Sequence, residues 1–308
     1  MELAIAAIAF VAAGALIPHF LDPANLLNVV RQSSIIGICA VGMTFVIMVK
    51  DIDLSFAGIM SFCPMIAGVL MLQGMPIEIA LLAGVGLGAI AGGASGLLVS
   101  RLAVPSFITT LVIGQIAQGL ALLVNEGRSI GGFPASYVFL GNGSAAGIPI
   151  SDYILLLALA VGLVVQNQLP LGNHIRALGG NELVLRQEGI SVPRIKVIVF
   201  AMSGMLAAIS GMLLSAQLDT VHPTQGEAYQ LDAIAACIIG GVDLAGGIGS
   251  VGMAVVGAVV IGLLRNALNL LGIHPFIQNV LVGTLIISIV FVGGVARRKA
   301  ESATRGTL

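Results

Sequence analysis

Long apolar runs, separated by short polar or glycine-rich connections, follow one another along almost the whole chain. A helix needs about 20 mostly apolar residues to cross roughly 30 Å of hydrocarbon. The runs of sufficient length predict membrane-spanning helices at 3–21, 29–49, 56–74, 77–99, 105–124, 151–170, 195–217, 249–271 and 275–296. The pattern therefore predicts an all-α polytopic membrane protein.

One apolar stretch, YQLDAIAACIIGG at 229–241, is too short to belong to that set. Its 13 residues would reach only about 20 Å as an α-helix. Basic residues concentrate on the cytoplasmic side, and they cluster in the loop at 171–196 and in the tail at 297–308. Both clusters are cytoplasmic only if the short stretch also crosses, which predicts about ten transmembrane helices. Non-helical backbone at membrane depth survives only inside protein, so this short helix should be central.

Ten crossings place the N- and C-termini in the cytoplasm and make the chain one transmembrane domain, 1–308. The polar connection at 126–150 then lies outside. It separates a first half, 1–125, from a second half, 151–296, and the tail at 297–308 follows.

The two halves contain similar stretches. GLGAIAGGASGLLVSRL (86–102) is similar to GMAVVGAVVIGLLRNAL (252–268), and FITTLVIG (107–114) is similar to FIQNVLVG (276–283). The matched helices lie five crossings apart, so they run in opposite directions. The similarity predicts two inverted five-helix halves, an arrangement typical of transporters.

Composition agrees with a membrane protein and narrows its chemistry. Of the 308 residues, 58% are hydrophobic and only 9% are charged, whereas soluble domains are about one quarter charged. The net charge of −1 gives no reason to expect a nucleic-acid partner. No P-loop motif is present, and the histidines and cysteines lack metal-ligand spacing. We therefore predict a protein that is not an enzyme and holds no metal.

Polar residues in or beside the spans are candidates for a translocation pathway, because such residues are costly in lipid and usually face the bundle interior. These candidates are Asp53, Ser55, Gln115, Asp232, Asn266 and Asn269. Each also has a structural interpretation. Asp53 or Ser55 could cap the helix that follows, and Asp232 could cap the short helix. Arg265, Asn266 and Asn269 could belong to a structural pairing, and Gln115 and Gln118 could form hydrogen bonds with neighbouring helices.

The longest cytoplasmic connection, at 171–196, is either a solvated basic loop or a docking surface. Its sequence predicts a short helix around 181–188 that is capped by Asn181. The glycine pair before Asn181 would allow a tight turn, and a β-branched residue at Gly180 would distort that turn if it needs a positive φ.

From this loop onwards the sequence resembles a known family. The stretch ALGGNELVLRQEGISVPRIK, followed by YQLDAIAACIIGGVDLAGGIGSVGMAVVGAVVIGLLRNALNLLGI, resembles the ribose/xylose/arabinose-type permeases of bacterial ABC sugar importers. The first half is similar too, in NLLNVVRQSSIIGICAVGMTFVIM, IDLS and PSFITTL. This resemblance implies a multi-pass permease of the bacterial inner membrane that passes a simple sugar, such as a ribose-like monosaccharide or a related polyol or signal sugar.

The resemblance also implies partners. They are cytoplasmic ATP-binding cassette subunits, a periplasmic or extracellular sugar-binding protein, membrane lipid, and a second permease, either another copy or a paralogue. This chain would hold no cofactor, since ATP and Mg would be bound by the partner ATPase. The ATPase-coupling loop would comprise Arg176, Gly179, Gly180, Asn181, Glu182, Arg186 and Gly189.

The sequence departs from the family pattern at three places. Lys50 and Asp51 precede IDLS where the family commonly has two glycines, and Gln118 stands where an arginine is frequent. In the coupling loop, RQEGI replaces the more usual Arg-Leu-Ser-Gly-Ile pattern. The alternative function is a gradient-driven secondary transporter or channel for a small polar solute. Such proteins usually carry acid and base relays within the membrane, and this chain has few ionisable residues at mid-depth.

Overall fold

The computed structural model describes residues 10–11, 13–288 and 291. The first predicted span, 3–21, and the last, 275–296, are therefore described only in part. The predicted tail at 297–308 lies outside the described residues.

Helices dominate the described part of the chain, and four two-residue strands lie in the connections. The helices are α1 (Pro23–Met48), α2 (Phe56–Leu72), α3 (Ile77–Arg101), α4 (Ser106–Val124), α5 (Ala135–Asn142), α6 (Ile150–Asn167), α7 (Pro170–Gly180), α8 (Glu182–Gln187), α9 (Val192–Leu218), α10 (Glu227–Ile239), α11 (Val251–Leu270) and α12 (Pro275–Ser288). The strands are β1 (Ile130–Gly131), β2 (Ser144–Ala145), β3 (Ile148–Pro149) and β4 (Thr220–Val221).

Six of these helices are long and apolar enough to cross a membrane: α1, α3, α4, α6, α9 and α11. The helices α2 and α12 are apolar but shorter. The prediction of an all-α membrane protein is confirmed. The short stretch at 229–241 lies in the 13-residue helix α10.

The core sits between α1 and α9, which are mostly buried, while α3, α4 and α6 present most of their surface outward. Glycines let α3 approach α9 closely. A Cβ at Gly88 would overlap the carbonyl oxygen of Gly204, and one at Gly92 would overlap that of Phe200. Small residues allow this backbone-to-backbone packing where lipid supplies no hydrophobic drive.

The connection at 126–150 is more ordered than a polar loop. It contains α5 and the hairpin of β2 with β3, and β1 pairs antiparallel with β4. The fully buried Tyr137 of α5 donates a hydrogen bond to the carbonyl oxygen of Met212, with an O···O distance of 2.8 Å. Packing of α5 on α9 makes this connection part of the folded body.

The connection at 171–196 also forms two helices, α7 and α8. The predicted capped helix is confirmed, because the Leu183 amide donates to Asn181 Oδ1 at 3.0 Å and α8 begins at Glu182. Gly180 does not need the positive φ of a tight turn. It is the last residue of α7 and has no positive φ, whereas Gly189 does, at 74°.

Candidate functional site

The chain re-enters the bundle between α1 and α2. After α1 ends at Met48, Lys50 takes a φ of 65° and reverses the chain direction. Residues 51–54 have no regular structure, yet Asp53 and Ser55 are fully buried. Their backbone is satisfied inside protein, since the Leu54 amide donates to Thr110 Oγ1 at 3.0 Å.

The depth of this segment follows from its contact with α9. The Ser203 hydroxyl donates to Asp53 Oδ2 at 2.7 Å. Ser203 lies 11 residues beyond Val192, the first residue of α9, which is about 17 Å along the helix axis. The helix α2 therefore starts deep in the bundle, and we call residues 49–55 the first break.

A second non-helical segment enters from the opposite end. The helix α9 stops at Asp219, which has a φ of 49°, and β4 follows. The Gly226 amide then donates to Ser61 Oγ at 3.0 Å, and Gln225 Nε2 donates to the Met60 carbonyl oxygen at 3.0 Å. We call residues 219–226 the second break, and α10 begins directly after it.

The N-termini of α2 and α10 meet inside the protein. Gly226 packs so closely that a Cβ there would overlap the carbonyl oxygen of Ala57, in the first turn of α2. A helix N-terminus carries a partial positive charge and unpaired amides. Two of them at one place favour electron-rich oxygen atoms nearby.

A polar cavity of about 260 Å³ lies beside this meeting point. We call it the break cavity, and it is lined by Leu54, Ala57, Gly58, Leu111, Gly114, Gln115, Gln118, Glu227 and Gln230. Gln118 donates a hydrogen bond to the Pro223 carbonyl oxygen, and Gln230 donates to that of Leu54 at 3.3 Å. Amide and carboxylate groups can bond the hydroxyls of a neutral solute, and among the described residues no Lys, Arg or His lines this cavity.

Of the predicted pathway residues, Gln115 lines the break cavity, and its side chain is exposed. Asp53 and Ser55 lie next to it in the first break. Asp53 Oδ1 accepts from the Ser55 amide at 2.9 Å and from the Ser55 hydroxyl at 2.5 Å. Asp53 therefore holds the turn that precedes α2, while Ser55 occupies the N-cap position without a side-chain cap bond.

Asp232 does not cap the short helix, so that interpretation is wrong. It lies within α10, where Gly226 is the N-cap residue, and it is 2% exposed. Its carboxylate accepts two bonds from Arg265, at 2.7 and 2.8 Å, and Arg265 also donates to Asn279 Oδ1 at 3.1 Å. Of the residues in the proposed structural pairing, Arg265 is therefore paired, and its partners are Asp232 and Asn279.

The two remaining candidates connect helices away from the break cavity. Asn266 and Asn25 exchange side-chain hydrogen bonds at 2.8 and 3.0 Å, which joins α11 to the start of α1. Asn269 Oδ1 accepts from Gln278 Nε2 at 2.7 Å, which joins α11 to α12. For Asp232, Asn266 and Asn269 a pathway role stays a prediction.

Sequence reasoning did not assign Gln118, Glu227 and Gln230 to a pathway. A signal was present, because Glu227 and Gln230 flank the start of the short helix whose ends were predicted to lie inside protein. The polar residues nearest that start, rather than Asp232 further along, face the break cavity.

The predicted coupling loop packs against the first break and against the connection that follows α10. A Cβ at Gly179 would overlap the Met48 carbonyl oxygen and the Gly247 amide nitrogen. Gly247 belongs to the connection after α10, and its amide donates to the Met48 oxygen at 2.8 Å. Lys50 Nζ donates to the Gly180 oxygen at 3.3 Å, so the end of α7 contacts the segments leading to α2 and from α10.

Charged residues gather at this end of the molecule. Lys196 and Asp51 form an ion pair at 2.7 Å, and Arg186 pairs with Glu182 at 2.6 Å. We call this end the basic end, and its basic residues are Lys50, Arg101, Arg176, Arg186, Arg194 and Lys196.

Comparison with known proteins agrees with a transport protein. The ribose import permease protein of Haemophilus influenzae is 39% identical over 274 residues, covering 88% of this chain and 85% of the relative. The Bacillus subtilis ribose import permease protein is 37% identical, with 88% and 84% covered. The L-arabinose transport system permease protein of Escherichia coli is 32% identical, with 94% and 88% covered.

No solved structure matches the chain. Residues 25–290 match the family described as branched-chain amino acid transport system, permease component. That range runs from the start of α1 to beyond α12 and includes both breaks. The chain therefore belongs to this family of multi-pass membrane permease components.

Proposed function

We propose that this chain is the transmembrane permease subunit of an ATP-driven ABC importer for a simple sugar. The observation that carries the proposal is its similarity to ribose and arabinose permeases over 88–94% of its length. The break cavity supports a neutral, hydroxyl-rich solute, because amides and a carboxylate line it without a cation. An amino acid would bring a carboxylate that this lining does not neutralise.

The energy for transport would come from other chains. No P-loop exists in the sequence, so ATP and Mg would be held by cytoplasmic ATPase subunits. A sugar-binding protein on the outer side would deliver the substrate. A second permease copy or paralogue would complete the pathway, since Leu111 and Gln115 beside the break cavity are exposed in a single chain.

The proposed topology has ten crossings in two inverted halves, 1–125 and 151–296, within one domain. The helix contacts support this symmetry. In an inverted repeat α1 corresponds to α9, and α3 corresponds to α11. Accordingly α3 packs on α9 and α11 packs on α1, and the two short helices α2 and α10 each follow a break.

The basic end would face the cytoplasm of a bacterial inner membrane, with the termini on the same side. Basic residues favour cytoplasmic loops, and they converge at this end. The loop from Arg176 to Gly189 would then meet the ATPase. The contacts of Gly179 with Met48, at the end of α1, and with Gly247, after α10, offer a route by which ATPase movement changes the break cavity.

Reconstitution distinguishes this function from gradient-driven transport. The purified chain alone in liposomes is expected to accumulate no sugar under a proton or sodium gradient. Adding its ATPase, binding protein and ATP should start uptake of labelled pentose. Gradient-driven uptake by this chain alone would contradict the proposal and favour a secondary transporter.

Replacing Gln115 by leucine tests the break cavity directly. We expect roughly fivefold slower ATP-dependent uptake, because one hydrogen bond to the solute contributes about 1 kcal/mol. Folding should be unaffected, since Gln115 is exposed. Ile116→Ala, on the exposed neighbouring residue, is the matched control. Equal uptake by both variants would exclude Gln115 from the pathway.

A further inference from the structure

A groove opens between α3 and α9 at the basic end. The two helices touch through Gly92 and Gly96, where a Cβ would meet the backbone of α9. Beyond Gly96 a cavity of about 470 Å³ lies between the two helices. We call it the arginine groove, and it is lined by Leu97, Arg101, Ser191, Pro193, Arg194, Val197 and Ile198.

The arginine groove has an uncompensated positive charge. Within the described part of the chain, Arg101 and Arg194 make no side-chain hydrogen bond or ion pair, and no acidic residue lines the groove. The adjacent Lys196 is already neutralised by Asp51. In contrast, Arg186 and Arg265 both contact carboxylates. Two cations without a partner among the described residues can therefore bind one anion between them.

The rest of the arginine groove is apolar and faces outward. Leu97 is 45% exposed and Ile198 is 43% exposed, and both belong to helices long enough to span a membrane. The charged part lies at the helix ends and the apolar part lies within the helices. This order matches the headgroup and the acyl chain of a lipid at the membrane surface.

We propose that the arginine groove binds an anionic phospholipid. Its phosphate lies between Arg101 and Arg194, and one acyl chain follows Leu97 and Ile198 into the membrane. Basic pockets between transmembrane helices recognise anionic headgroups in this way. A soluble protein partner fits less well, because its contact would have to continue below the membrane surface along α3.

A single introduced tryptophan can report on the bound lipid, since the chain contains no tryptophan. Ile198→Trp places the fluorophore in the arginine groove, and Ile90→Trp, on the 70% exposed Ile90 of α3, is a reference position. Each variant is reconstituted in vesicles that contain phosphatidylglycerol or phosphatidylcholine with brominated acyl chains. Quenching then measures the relative association of each lipid with each position.

We expect phosphatidylglycerol to associate with the arginine groove at least fivefold more strongly than phosphatidylcholine, on the basis of about fivefold for each arginine. At the reference position the two lipids should quench equally. Arg101→Gln with Arg194→Gln should remove the preference. The control Arg176→Gln with Arg186→Gln removes the same amount of charge from the basic end. This control should keep the preference for phosphatidylglycerol.

Three results would overturn the proposal. One is equal association of both lipids with the unmodified groove. Another is loss of the preference in the control variant, which would indicate general surface charge. The third is an unchanged lipid preference in Arg101→Gln with Arg194→Gln, together with weaker retention of the ATPase, which would make the groove a protein contact. Lipid binding is measured without sugar or ATP, so it stands apart from the proposed transport function.

Discussion

Replacing Asp232 with alanine is expected to remove most of the folded permease from the membrane. The change leaves the Arg265 guanidinium without its carboxylate, and the side chain of Arg265 is only 10% exposed. Breaking a buried pair by removing one partner costs about 3–5 kcal/mol, because an uncompensated charge stays buried. The yield of monodisperse protein and its melting temperature in detergent would measure the loss.

Removing the charges of both Asp232 and Arg265 distinguishes a structural role of the ion pair from a role of Asp232 in the translocation pathway. Asp232→Ala combined with Arg265→Leu should restore much of the yield, since replacing a buried ion pair by apolar residues is often nearly neutral. Glu227→Ala, on the exposed first turn of the same helix, is the control for stability and should leave the melting temperature unchanged. If Asp232→Ala folds normally and only transport fails, the carboxylate acts in the pathway.

Two neighbouring glycines should respond very differently to a β-branched side chain. Gly179→Val is expected to lower sugar-stimulated ATP hydrolysis of the complete importer at least tenfold. The added carbons would overlap the Met48 carbonyl and come within 2.7 Å of Gly247 Cα. Such overpacking costs about 1–3 kcal/mol, and here it would separate the end of α7 from the segments leading to α2 and from α10.

Gly180→Val is the matched control. No atom lies within 4 Å of a Cβ at Gly180, and its backbone has no positive φ. The variant should therefore keep near-normal ATPase stimulation and ATPase co-purification. If both variants lose ATPase stimulation equally, the loop acts through its surface contacts with the ATPase. If both variants retain ATPase stimulation, the loop does not couple the ATPase to the permease.

Features set by local sequence were predictable. The lengths of the apolar runs identified the long helices. The stretch at 229–241 has only 13 residues, which indicated non-helical backbone inside the protein next to this helix. The cap at Asn181 followed from its position before a helical run, since a cap depends only on adjacent residues.

Features set by distant contacts were not predictable. The segment at 51–55 has the composition of a solvated turn, and its burial depends on Ser203, which is 150 residues away. Likewise, the position of Asp232 in the stretch suggests a helix N-cap. Its actual partner, Arg265, belongs to another helix. Gly180 has no positive φ, because α7 continues through both glycines of the pair. Which glycine meets a neighbouring backbone depends on the packing of Met48 and Gly247.

The glycine contacts between α3 and α9 have a mechanical consequence. Where the Gly88 and Gly204 backbones touch, no side chain can yield, so sliding or tilting one helix against the other would cause a backbone collision. The two helices should therefore move as a single rigid body. Rotation is left to the joints at Lys50 and at Gly246–Gly247, whose φ angles of 65°, 82° and 77° lie outside helical backbone. The short helices α2 and α10 would then move about these joints, while the long helices α3 and α9 keep their positions relative to each other.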